Sequence, residues 1–205
     1  MLRLISPLFL AGVIFFTLVG QLARANTIQA ETVHFIDAVA EKAIIALTNS
    51  NITRPERIRR FRKLLRNNFD VNTIGIFVLG RYARSVSGDE RKQYLALFER
   101  LIVATYVDHF SKYSEETLVV SEVVTVVGKD IIVNSSLSRP TGGGSVRVDW
   151  RVRRNSTGEL RIIDVIVEGI SMGQTQRAEF GSVISKNGGR VSGLIAELLK
   201  MDLPE

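Results

Sequence analysis

The chain has 205 residues, with 27 Lys and Arg against 21 Asp and Glu, two His, no Cys and 45% hydrophobic residues. Length allows one generous domain or two very small ones, and the apolar share is enough to bury a core, which excludes a disordered chain. The lack of Cys excludes a disulfide scaffold, a thiolate metal site and a Cys nucleophile, while His34 and His109 lie too far apart to build a His-rich centre.

The first residues read as a targeting segment. Met1-Leu2-Arg3 is a short basic start, Leu4 to Gly20 is uncharged and apolar, and Ala23-Arg24-Ala25 has the small-x-small form of a signal peptidase site. Cleavage after Ala25 is expected, leaving 26–205 as a single exported domain; an uncleaved anchor is the alternative. An exported chain without Cys suits a bacterial periplasm better than an extracellular space that favours disulfide staples. Loss of Arg3 and Arg24 with the leader lowers the formal net charge of +6 by two.

Helices come next. Val33, Ile36, Ala40, Ala43, Ile44 and Leu47 fall at spacings of three and four, which predicts an amphipathic helix over Ile28 to Leu47. Thr53-x-x-Glu56 reads as a capping box opening a basic helix with Ile58, Phe61 and Leu65 as its apolar line. Arg54 to Arg66 holds seven basic residues against Glu56, so positive charge is concentrated in one helix. That pattern argues against nucleic acid, which needs an extended basic surface. Asp70 is expected to cap a short helix over Thr73 to Tyr82, and Ser87-x-x-Glu90 to start a long one reaching about Tyr113.

From Thr117 the period changes from 3.6 to 2. Thr117 to Val127, Ile131 to Leu137, Val146 to Arg153 and Leu160 to Ser171 read as four strands of an antiparallel meander, parted by turns at Gly128-Lys129-Asp130, Pro140 to Gly144 and Asn155 to Gly158. Val146, Val148, Trp150 and Val152 share one face, and Arg147, Asp149 and Arg151 the other. Two helices, Gln174 to Lys186 and Arg190 to Met201, close the chain. Helices grouped against an antiparallel sheet of about four strands make an α+β domain.

The helix from Ser87 is apolar over far more than one stripe, with Tyr94, Leu95, Leu97, Phe98, Leu101, Ile102, Val103, Tyr106 and Val107, so it must be covered on more than one side. Ordinary protein on both sides satisfies this. So does an apolar cavity on one of them.

Three groups of residues carry a family resemblance: Phe77-Val-Leu-Gly-Arg-Tyr-Ala-Arg84; Ser87-x-x-Glu90-Arg91 with Tyr94, Phe98 and Ala104-Thr-Tyr106; and Asp164-Val-Ile-Val-Glu-Gly-Ile-Ser171 with Gln176, Arg177 and Phe180. In this order, over nearly all of the chain after the leader, they resemble the MlaC-like family of periplasmic phospholipid-binding proteins, also called the toluene-tolerance family. The resemblance implies a helical layer on a curved sheet enclosing an apolar pocket, a phospholipid as cargo, no cofactor and no enzymatic activity. It implies a soluble carrier that shuttles phospholipid between an outer-membrane lipoprotein–porin complex and an inner-membrane MCE-domain ABC transporter, maintaining outer-membrane lipid asymmetry. A hopanoid-related carrier and a non-carrier periplasmic adaptor remain open.

On that reading the pocket wall is expected to draw on Val78, Leu79, Leu97, Leu101, Val148, Trp150, Val165 and Val167, although taken singly each reads first as plain core, since buried aliphatics usually pack on protein. Arg81 and Arg84 are candidates for a lipid phosphate at the pocket mouth, and Arg57 and Arg60 of the basic helix for head groups or an acidic docking surface. Asp164 and Glu168 are expected to pair with Arg147 and Arg151 across the strands, and Gly169 to permit a bend. Asp164 with His109 is the only tempting acid–base pair, and it comes with no nucleophile, oxyanion element or metal ligand set, which argues against a hydrolase or isomerase.

Overall fold

The computed structural model describes residues 7–49, 51–108, 116–138 and 144–205, with side chains from Thr27 onward. Six helices and five strands appear among them: α1 (Pro7–Leu47), α2 (Arg54–Asn68), α3 (Val71–Leu79), α4 (Gly88–Tyr106), β1 (Thr117–Val127), β2 (Asp130–Ser138), β3 (Val146–Arg154), β4 (Leu160–Val167), β5 (Ile170–Ser171), α5 (Met172–Lys186) and α6 (Val191–Leu199). The expected helix over Ile28 to Leu47 is the later part of α1. The continuation of α4 to Tyr113, His109 and most of the turn after Pro140 lie outside the described residues.

Local chemistry starts most of these helices. Ser87 forms the full reciprocal capping box with Glu90, whereas Thr53 accepts from the Glu56 amide while the Glu56 carboxylate turns to Arg60 instead. Asp70 accepts from the Thr73 amide at 2.9 Å and starts α3. A 3-10 turn over Gly80–Arg84 follows α3, so the helix expected to Tyr82 ends at Leu79.

The strands form one antiparallel sheet in the order β1-β2-β3-β4-β5. Two hairpins explain its economy. Gly128, at φ +63°, and Lys129 join Val127 to Asp130, with glycine first as a type II′ turn demands. Glu168 and Gly169, at φ +50° and +81°, join Val167 to Ile170 with both central residues at positive φ, as in type I′. Gly169 therefore makes a hairpin rather than a bend, and the fourth expected strand divides into β4 and β5. Edge strand β1 is blunted by a register shift between Val120 and Val124 with Glu122 inside it.

Three buried clusters hold the layers. Tyr94, Leu97, Phe98 and Leu101 of α4 pack with Val78 and Leu79 of α3, Phe180 and Ile184 of α5, and Leu194 and Leu198 of α6. Val103 and Val107, farther along the same chain segment, pack with Leu47 of α1 and Ile58, Phe61 and Leu65 of α2. This is why the segment is apolar nearly all round: one face meets α3, α5 and α6, and the other meets α1 and α2. Ile36 and Val39 of α1 pack on Ile131, Val133, Val152 and Ile162 of the sheet.

Candidate functional site

Register builds an apolar sheet face row by row. Val126, Ile131, Val152 and Ile162 form one row, and Val124, Val133, Trp150 and Val165 the next. Val120, Ser135, Val148 and Val167 form a third, and Leu118, Leu137 and Val146 a fourth. Apart from Val126, which is exposed on the edge strand, the first two rows belong to the cluster under α1. Val148 and Val167, paired across β3 and β4, carry the face beyond it and belong to none of the three clusters. The polar groups on this face are matched: the Trp150 Nε1 donates to Ser135 Oγ at 3.0 Å, and the Ser135 hydroxyl donates to the Val148 carbonyl at 2.6 Å. Nothing polar on that stretch is left to hold water.

The opposite face is charged, as the alternation predicts. Arg153 donates to Asp130 at 2.6 Å, and Asn134 and Arg147 both donate to Asp149. The expected cross-strand pairing of Asp164 does not form. Asp164 lies opposite Arg151 in register, yet its carboxylate accepts from the Ser171 hydroxyl at 2.6 Å and the Gly173 amide at 3.0 Å, tying the start of α5 to β4. Arg151 turns to Asp130, and Glu168 accepts from the Arg147 amide. Two short bonds to the first turn of a helix outcompete a solvated ion pair.

The helical layer contains a cleft of about 390 Å³ between α4, α5 and α6. Leu101, Tyr106, Met172, Phe180, Leu194 and Leu198 supply its apolar surface, with Thr105, Gln176, Glu179 and Glu197 at polar positions. Burial, followed by the negative charge of Glu179, pushes the Tyr106 hydroxyl above its usual range, so it stays neutral. Of the eight wall candidates only Leu101 reaches this cleft. Val78, Leu79 and Leu97 are buried beneath it in the α3–α6 cluster, and Val148, Trp150, Val165 and Val167 lie together on the sheet. The structure thus gathers the eight into two groups rather than one. Met172, Thr105 and Met201 line the cleft although sequence reasoning passed over them, because nothing in their local pattern shows that α5 and α6 flank α4 there.

The arginine candidates divide. Arg81 and Arg84 are exposed in the 3-10 turn; Arg81 donates to the Tyr82 hydroxyl at 2.8 Å and sits 4.9 Å from its ring centre. Arg57 is buried, and its Nε donates to the Leu47 carbonyl at 3.0 Å, while Arg60 donates to the Ala46 carbonyl at 3.2 Å and to Glu56. Both close the C-terminal end of α1, whose last carbonyls have no partner within the helix. Arg57→Ala is expected to cost about 2 kcal/mol by stranding that carbonyl and the packing around it. Urea denaturation at unchanged m-value measures the loss.

No group of three or more His, Asp or Glu capable of holding a metal ion occurs among the described residues. The site offers apolar surface with a polar margin that includes the carboxylates of Glu179 and Glu197, a lining of the kind that binds apolar ligands.

The chain is 24% identical over 135 residues to the intermembrane phospholipid transport system binding protein MlaC of Haemophilus influenzae, an alignment covering 62% of each protein. A phospholipid-binding protein of Ralstonia solanacearum, solved in complex with a phospholipid, has the same fold, with a TM-score of 0.73 at 18% identity over 82% of this chain and 94% of that one. A model of the MlaC protein family matches residues 37–200, from the last quarter of α1 to the end of α6. A match over that much of the sheet and both helical faces places the chain in the MlaC family.

Proposed function

We propose that this protein is a periplasmic lipid carrier whose cargo is a phospholipid held by its acyl chains against the apolar sheet face. The observation that carries the reading is the extension of that face past the α1 contact at Val148 and Val167, with Ser135 and Trp150 satisfied by each other. Family membership supports it, as do the phospholipid bound to the Ralstonia protein and the transport role in the name of the Haemophilus protein. Two acyl chains present roughly 30 methylenes, and at about 0.8 kcal/mol each their exposure to water would cost on the order of 20 kcal/mol. A carrier must hide them, and it needs no reactive group to do so. Ordering and desolvation offset much of the gain, which leaves cargo that can still be released.

In this proposal the segment to Ala25 is a leader removed on export, and the carrier exchanges lipid with an outer-membrane lipoprotein–porin complex and an inner-membrane MCE-domain ABC transporter. Val78, Leu79, Leu97 and Leu101 support the helical wall, and Val148, Trp150, Val165 and Val167 form the sheet wall. Arg81 and Arg84 of the exposed 3-10 turn meet the lipid phosphate in this reading. Native mass spectrometry with organic extraction of the purified protein is expected to find stoichiometric phospholipid. A hopanoid lipid in its place would change the cargo, and protein free of lipid would make it an adaptor.

A further inference from the structure

The exposed corner where α1 meets α2 does not take part in the site described above. Of the seven basic side chains in the segment Arg54–Arg66, Arg57 turns inward to the Leu47 carbonyl; the acidic neighbours of the other six are Glu56 on α2 itself, Glu99 and Asp108 from α4 and the residues after it, and Glu205, whose main-chain oxygen accepts from Arg62. The sharing is uneven. Glu56 serves both Arg59 and Arg60, Glu99 serves both Arg62 and Arg66, and Arg54 takes Asp108, with Asp202 adding a more distant negative charge. Lys63 meets no carboxylate within ion-pair distance among the described residues. Positive charge is therefore left over, and it points outward: Arg59 is 79% exposed, Arg66 63%, and Lys63 lies between them at spacings of four and three on the same ridge.

An apolar projection lies at the end of α1 that Arg60 ties to α2. Ile45 is 69% exposed in the last turn of α1, next to Ala46, whose carbonyl Arg60 holds, and Ile44 is exposed beside it. A large aliphatic side chain exposed at the same helix junction as a surplus of guanidinium and ammonium groups is the pattern of an interfacial surface, in which cations meet lipid phosphates and the apolar group enters the acyl boundary. A membrane offers a counterpart to both features, phosphates for the cations and an acyl boundary for Ile45, whereas an acidic protein surface matches the cations alone.

We infer that this corner, with Arg59, Lys63 and Arg66 as its basic ridge and Ile45 as its wedge, docks the protein on an anionic phospholipid membrane. Docking goes beyond the carrier reading, because a protein can rest on a bilayer without holding cargo. Docking at the leaflet that supplies or receives lipid shortens the path a lipid must cross, and the excess charge makes the contact reversible by salt.

The test is flotation of the purified protein, its N-terminus read by mass spectrometry, with vesicles of phosphatidylcholine alone or with added phosphatidylglycerol. The expected result is binding that requires phosphatidylglycerol and falls as salt rises. Arg59→Gln with Lys63→Gln is expected to weaken it about tenfold or more, and Ile45→Ser to weaken it at every salt concentration. All three side chains are exposed, so the variants should keep the native circular dichroism and urea midpoint. Equal binding to neutral vesicles, no binding to anionic ones by folded protein, or binding unaltered in both variants would overturn the proposal. The second of these outcomes would assign the ridge to an acidic protein. Lipid extracted from the same preparations reports cargo separately, so failure of docking and failure of carrying are told apart.

Discussion

Replacing Tyr94 by Ala is expected to destabilise the protein by about 3–5 kcal/mol, the range for deleting a large buried aromatic side chain. Tyr94 is fully buried at the centre of the α3–α6 cluster. Its ring stacks on Phe98 with centroids 5.8 Å apart and meets the edge of Phe180 at 6.2 Å. Its hydroxyl donates to the Gly75 carbonyl at 3.0 Å, so α3 and α4 are joined by both packing and a hydrogen bond. Tyr94→Phe keeps the first and removes the second, at an expected cost of about 1–2 kcal/mol. Because whole domains are stable by only about 5–15 kcal/mol, the Ala variant should lose a large fraction of its folding free energy. Urea titrations of the three proteins give the two differences directly.

The same residue sets an alkaline limit. Burial pushes the Tyr94 hydroxyl far above its ordinary value, so the folded state keeps its proton while an unfolded chain loses it above about pH 10. The raised value contributes stability that is complete below pH 10 and falls by about 1.4 kcal/mol per pH unit above it. Tyr94→Phe should remove that slope.

Filling the sheet wall is expected to expel the cargo without unfolding the carrier. Val167 is half-buried and belongs to none of the packed clusters, so an indole at this position projects into the proposed acyl site and costs at most about 1–3 kcal/mol in overpacking. Val167→Trp should therefore purify without lipid and with a native circular dichroism spectrum. Thr105→Trp provides the contrast. Thr105 lines the cleft between α4, α5 and α6, so an indole there blocks that cleft and leaves the sheet face open. Loss of lipid from the Val167 variant alone places the acyl chains on the sheet, and loss from the Thr105 variant alone moves them to the helical cleft. Cargo retained by both would remove both surfaces from the pocket.

Much of this protein was legible before any coordinates, and what was legible shares one physical basis: contacts made within a few residues. The Ser87 capping box, the Asp70 cap of α3, the glycine of the β1–β2 hairpin and the alternation of Val146, Val148, Trp150 and Val152 depend only on neighbours in the chain. Strand periodicity also carried the meander topology, because short connections leave consecutive antiparallel strands little choice but to pair. It did not show that Glu168 and Gly169 turn the chain, since both residues also fit a strand end.

Tertiary packing decided the rest. Arg57 reads as one of several solvated cations, and only the approach of α1 makes it the buried partner of the Leu47 carbonyl. Asp164 reads as half of an ion pair with a neighbouring strand, and only the placement of α5 offers it the better donors Ser171 and Gly173. The apolar excess of α4 was visible, but its division between two clusters required knowing which helices lie on each side. A sequence states which side chains avoid water; the partners they find among elements distant in the chain depend on packing geometry that no local pattern encodes.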